Sequence, residues 1–235
     1  MLAPKRISIV NLLLASLPRK EYQSFLARCE PVQLVSSEIL GEPGEQVRDV
    51  YFPIDSFVSL VGPIDSQTSM EVGMVGNEGM IGLSLALGVR FSLLRFLVQG
   101  AGTALRMDAV QFLQIYKKTP ALQRKLRAYA YVRMNQLSQT AGCNRFHVVN
   151  ARLARWILMT QDCAHSNEFP ITHEFLSYML GVRRAGITES AGMLQKKKLI
   201  SYSRGYLKVL DRSALEATAC GCYQASKETY KKILG

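Results

Sequence analysis

Between Ile171 and Ile200, in the stretch ITHEFLSYMLGVRRAGITESAGMLQKKKLI, the residue types suit the reading of a DNA duplex. Arg183 and Arg184 stand side by side where a second helix should begin. Two cations there oppose the helix dipole at a cost of roughly 0.3–1 kcal/mol. Gly186 in the first turns costs about 1 kcal/mol relative to alanine. Local stability therefore does not account for them, whereas an arginine fork matches guanine edges or phosphate. If Ile187, Ser190 or Ala191, and Leu194 face a core, then Arg184, Ala185, Thr188, Glu189 and Gly192 face outward. Small residues on that face let the helix backbone lie close to bases. Thr188 could contact a base or phosphate, and Glu189 could accept from cytosine N4. Glu189 could equally be a solvated partner of Arg184 or Lys196. Lys196, with Lys197 and Lys198, suits the helix C-terminus electrostatically and has phosphate contact as a second role. Arg204 lies at a turn between Tyr202 and Tyr206. Thr172 and His173 open the first helix, where His173 could reach a phosphate.

Those side chains need a helix-turn-helix to present them. Two helices crossing steeply require apolar residues at set places, a small residue where they touch and a glycine in the turn. Leu176, Leu180, Val182 and Ile187, then Ser177, then Gly181 meet all six requirements. Thr172 is placed as an N-cap, with Ile171 and Leu176 spaced as a hydrophobic staple. After the second helix, Leu199–Ser203, the Arg204-Gly205 turn and Tyr206–Leu210 predict a hairpin, which makes the module a winged one. Asn167–Pro170 reads as a loop or short strand.

Upstream, residues 31–107 change character. Short apolar runs (Val50–Phe52, Phe57–Val61, Glu71–Val75, Arg95–Gln99) alternate with turn signals at Glu42–Glu45, Gly62–Asp65, Gly76–Gly79 and Gly100–Gly102. Strands so short and so regularly spaced predict an antiparallel jelly roll or small barrel. Asp108 caps a short helix to about Lys117. Thr119-Pro120 starts a long one, with a capping hydroxyl and proline at its first position. Along it Leu122, Leu126, Tyr129, Arg133 or Met134, and Leu137 form one stripe. That stripe either packs on the barrel of its own chain or pairs with the same helix of a second copy, and its place between two domains favours the second. A further helix spans about Val148 to Cys163. The expectation is an α+β chain: a jelly-roll domain over 1–118, a dimerisation helix over 119–146 and a winged helix-turn-helix over 147–235.

The net charge of +11 is unevenly placed. Residues 1–107 hold nine Lys/Arg against ten Asp/Glu, and residues 108–235 hold twenty against eight, so the excess lies with the helix-turn-helix. Double-stranded DNA is the partner that explains both features. Five scattered cysteines in a chain of 235 residues fit a reducing, cytoplasmic setting. Lys5 and Arg6 before an apolar run imitate a signal peptide. Asn11 interrupts that run, and its helical spacing through Phe25 and Leu26 predicts an amphipathic first helix instead. No run of apolar residues is long enough to span a membrane.

The module from Ile171 to Ile200 resembles that of the Crp/Fnr family of bacterial transcription regulators. The order of barrel, long helix and winged module follows that family over nearly the whole chain. The resemblance implies a homodimer that binds a near-palindromic operator. Arg184 falls on the family's guanine-reading arginine, but Ala185 replaces its next acidic base contact, so the half-site should differ. RNA polymerase and an unidentified small-molecule effector are further partners to consider. Members that bind cyclic nucleotides hold the phosphate with Gly-Glu and, about ten residues on, Arg-Ser or Arg-Thr. Here the stretch reads Gly82-Leu83, and neither Arg90 nor Arg95 is followed by the hydroxyl, so no cyclic nucleotide site is expected. An iron–sulfur cluster needs four thiolates; only Cys29 lies near the N-terminus, and Cys220-x-Cys222 sits in the tail. Neither a metal nor a cofactor is expected. All three histidines (147, 165, 173) lie outside the barrel, and no nucleophile elbow or phosphate loop is present, which argues against an enzyme. Three functions stay open: a ligand-controlled regulator, a regulator with a ligand-free barrel governed by abundance or a protein partner, and a protein-interaction module.

Overall fold

The computed structural model describes residues 10–65 and 68–235. Its first helical segment departs from expectation. In place of one amphipathic helix there are two short ones, α1 (Leu12–Ala15) and α2 (Arg19–Leu26), because Pro18 precedes α2 and cannot continue a helix. Lys5 and Arg6 lie outside the described residues. Asn11 is buried and fully used. Its carbonyl oxygen accepts from Leu14 N at 3.1 Å, and its amide donates to Pro53 O and Gly79 O at 3.0 and 2.8 Å.

Seven antiparallel strands follow: β1 (Glu30–Leu34), β2 (Ile39–Gly41), β3 (Asp49–Pro53), β4 (Phe57–Pro63), β5 (Ser69–Val75), β6 (Arg95–Gly100) and β7 (Gly102–Asp108). They form two sheets, ordered β1-β7-β3 and β2-β6-β4-β5. Period-two alternation sends Val50, Phe52, Val58, Val75, Val98 and Met107 into one core between them. β4 is buried along nearly its whole length, unlike an open edge of a sheet. Its second face, with Phe57, Val61 and Met74 of the neighbouring strand, lies in a second core beneath the C-terminal helices.

α3 (Ala109–Lys118) begins as expected, with Asp108 accepting from Val110 N and Gln111 N at 2.8 and 3.2 Å. α4 (Pro120–Phe146) has proline at its start, but the Thr119 side chain makes no capping bond. Gln123 instead donates to Tyr116 O and Lys117 O, tying the end of α3 to α4. The α4 stripe divides. Leu122, Leu126 and Tyr129 pack into the barrel core, and Arg133 rather than Met134 continues the line inward. The Arg133 guanidinium donates to Met74 O at 3.0 Å and passes over Gly73, where a Cβ would collide with it. Tyr131, Met134 and Leu137 remain 61%, 68% and 42% exposed.

α5 (Val149–Ala164) leads into β8 (Glu168–Pro170), α6 (His173–Leu180), α7 (Arg184–Lys196), β9 (Ile200–Ser203) and β10 (Tyr206–Val209). β10 lies between β8 and β9, so Asn167–Pro170 contributes the third strand of the wing. α8 (Arg212–Thr218) packs on α5, and α9 (Cys222–Leu234) returns along α4 to place Leu234 in the barrel core. Among the described residues no helix is long and apolar enough to cross a membrane.

Candidate nucleic-acid interface

The helix pair is built by local chemistry that follows its spacing. Thr172 Oγ1 accepts from Phe175 N at 3.1 Å, which caps α6. α6 ends at Gly181 in the left-handed region, φ +61°, and Val182 N donates back to Ser177 O at 3.1 Å. Leu176, Leu180 and Ile187 are buried in the C-terminal core, with Ser177 and Val182 half-buried beside them. Ser190, Ala191 and Leu194 complete the inward face of α7.

The outward face is as the spacing requires. Arg183, Arg184, Ala185, Thr188 and Glu189 are exposed, and Gly192 is half-buried. Arg183 is the N-cap of α7 and no side chain caps the helix, so its first amides point to solvent. Among the described residues neither arginine forms an ion pair, and neither does Glu189. Free amides at a helix start beside two unpaired guanidinium groups make an anion-attracting surface. Lys196, Lys197 and Lys198 are exposed at the other end. At the wing tip Arg204 and Gly205 both have positive φ, +50° and +80°, as a tight hairpin turn demands, and Arg204 is exposed.

Two of the candidate residues are bonded within the module. The Thr188 hydroxyl donates to Arg184 O at 3.1 Å. Its lone pair faces His173 Nδ1 at 3.1 Å, and the imidazole stacks on Tyr202 with ring centroids 4.4 Å apart. Burial, and then the Arg184 charge, pull the His173 pKa below its usual value. His173 is therefore a neutral spacer joining α6, α7 and β9, with Tyr202 OH donating to Ile171 O at 2.8 Å behind it. Its expected approach to a phosphate has no support in this geometry.

The module is seated on the barrel by groups that carry no sequence signal of their own. Tyr178 of α6 bonds to Ser69 of β5 through their hydroxyls. Trp156 of α5 donates its indole N–H to Glu71, also of β5, at 3.0 Å. The only hint was a carboxylate opening an otherwise apolar run.

In the barrel, Gly82 has φ +85° and opens a 3-10 turn over Leu83–Leu87, with no carboxylate beside it. The Arg95 guanidinium is held by Glu42 at 2.8 Å, and Arg90 is exposed.

Residues 151–218 match the family of Crp-like helix-turn-helix domains. The C-terminal module is thus similar to the Crp-like helix-turn-helix domains. A search of curated proteins by sequence returned no match. Among solved structures, the chain resembles a protein from Eubacterium rectale assigned to the Crp/Fnr transcriptional regulators. The identity is 17%, the match covers 88% of this chain and 96% of that one, and the TM-score is 0.67. It resembles the c-di-GMP-responsive global regulator CLP of Xanthomonas campestris at 14% identity, covering 82% and 99%, with a TM-score of 0.67. FixK2 of Bradyrhizobium japonicum is similar at 11% identity over 82% and 98%, with a TM-score of 0.68. At these identities the likeness is one of fold: a sheet-rich N-terminal domain, a long helix and the Crp-like domain, in the arrangement of Crp/Fnr regulators.

Proposed function

We propose that this protein is a homodimeric transcription regulator that binds a near-palindromic DNA site through α7 and the wing. The observation that carries the proposal is the outward face of α7, where unpaired Arg183 and Arg184 flank uncapped amides and small residues on a Crp-like domain. Arg184 and Glu189 read base edges, while Arg183, Thr172, Lys196 and Arg204 hold phosphates. Thr188 and His173 set the distance between the two helices and the wing.

In this reading residues 1–118 are the sensor, 119–146 the dimer helix and 147–235 the DNA-binding domain, with the end of α9 returning to pack on the barrel. Exposed Tyr131, Met134 and Leu137 on one face of α4 are apolar surface that a second copy would cover. Dimer symmetry then spaces the two recognition helices about one DNA turn apart. With Gly82-Leu83 at the turn and Arg95 paired to Glu42, the barrel in this reading responds to an effector other than a cyclic nucleotide, or to none.

Selection of bound fragments from random duplex DNA tests the whole reading. The expected product is a two-fold symmetric site whose affinity falls steeply with salt. Recovery of no enriched site would leave the protein-interaction reading standing.

A further inference from the structure

Cys143 and His147 are one helical turn apart at the end of α4, and Cys220 and Cys222 flank Gly221, the N-cap of α9, with Cys222 its first residue. The fold brings these two distant pairs together. The three thiol sulfurs and one imidazole nitrogen all lie within 4.8 Å of one another. Cys143 Sγ and Cys220 Sγ are 3.4 Å apart, and Cys222 Sγ is 3.7 Å from His147 Nδ1. A tetrahedron with metal–sulfur bonds of about 2.3 Å and metal–nitrogen bonds of about 2.0–2.1 Å has sulfur–sulfur edges of about 3.8 Å and sulfur–nitrogen edges of about 3.5 Å. Each measured distance lies within about 0.4 Å of the corresponding edge, so small side-chain adjustments would close the tetrahedron.

We propose that these four residues form a closed Cys3His site for a thiophilic divalent cation, Zn2+ by preference. Spacing and donor chemistry both suit it. An i, i+4 pair on a helix and a Cys-x-Cys turn each offer two ligands from one short segment, and four soft donors leave no open position for catalysis. The surrounding charge supplies a second, independent argument. Arg152 and Arg155 line a small cavity together with Cys143. Both are buried, neither is ion-paired among the described residues, and the Nε atom of each lacks a hydrogen-bond partner. Buried guanidinium groups call for a compensating anion. Three thiolates around Zn2+ carry one net negative charge, which offsets one of the two guanidinium charges; three neutral thiols offset neither.

The place of the site gives it a role. Its ligand pairs bracket residues 148–219, so a bound cation clasps the Crp-like domain shut at its two ends. It also pins the start of α9 to the end of α4, where Phe146–Val148 join the long helix to α5. Metal occupancy thus holds the recognition helix in position relative to α4. Sequence alone argued against a metal because the tail offers only two thiols; the other two ligands lie at the end of α4.

The experiment uses the full chain, reduced, stripped with a chelator and titrated with Co2+. One equivalent should give the thiolate-to-cobalt bands in the near ultraviolet and the strong visible bands of a tetrahedral site, both abolished by Zn2+. The Cys220→Ser, Cys222→Ser double variant should bind none, Cys29→Ser should bind as the parent does, and His147→Cys should bind with red-shifted bands. The melting temperature of the parent should fall on chelation, and that of the double variant should not respond. A folded, reduced parent without these bands would overturn the proposal, as would unchanged bands in the double variant. A Cys143–Cys220 disulfide persisting in reductant would overturn it too.

Discussion

Trp156 in the Crp-like domain and Glu71 in the barrel are joined by a buried hydrogen bond of 3.0 Å across the contact between the two domains. Ser59 Oγ lies 2.6 Å from the other Glu71 oxygen and 2.6 Å from Gln99 Oε1. One hydroxyl proton cannot serve both acceptors; a proton on Glu71, or a turned Gln99 amide donating through Nε2, supplies the second. Burial raises the Glu71 pKa to about 7, against the lowering effects of Ser59, Trp156 and the Arg155 and Arg133 charges.

A stability profile follows from that raised pKa. The carboxyl binds its proton more tightly in the folded chain than in the unfolded one, where its pKa is 4.5. Its contribution is complete below pH 4.5 and is lost as pH rises through about 7. The size is roughly 3 kcal/mol, since each tenfold gain in proton affinity is worth about 1.4 kcal/mol. Urea unfolding between pH 5 and 8 should show this decline, and Glu71→Gln should flatten it. An unchanged slope in that variant would place the titration elsewhere.

Arg184→Ala tests the reading face. On the selected operator the loss should be roughly 1–3 kcal/mol, with relaxed preference at one base position. Binding isotherms on the operator and on its single-base variants measure both. Equal weakening on every variant would make Arg184 a phosphate contact.

Met134→Glu tests the second copy. A carboxylate at this exposed position opposes its own symmetry mate across a two-fold axis. Sedimentation should show the variant shifted to monomer, with operator affinity falling in parallel. A variant still dimeric at micromolar concentration would move the interface off this face of α4.

Much of the fold was legible because it depends on neighbours in the chain. The staple, cap and turn of the helix pair act over a few residues, so Ile171, Thr172 and Gly181 announce it. Asp108 announces α3 for the same reason. Pro18 was equally local, and an apolar period on either side of it masked the break between α1 and α2.

Other features depend on which surfaces meet. The spacing of Leu122, Leu126 and Tyr129 defines a stripe but not its partner, and the barrel of the same chain claims that part of it. His173 reads as a residue that could reach a phosphate, and only the fold stacks Tyr202 on it and sets Thr188 beside it, since a helix position does not reveal what a distant strand will cover. Glu71 reads as one polar residue in a strand. Only the packing of α5 on the outer face of β5 removes water from it and sets its proton affinity. Cys143 and Cys220 are 77 positions apart. Periodicity carries no information over such a distance, and it is the return of the chain along α4, driven by burial of Leu234 and its neighbours, that brings their sulfurs together.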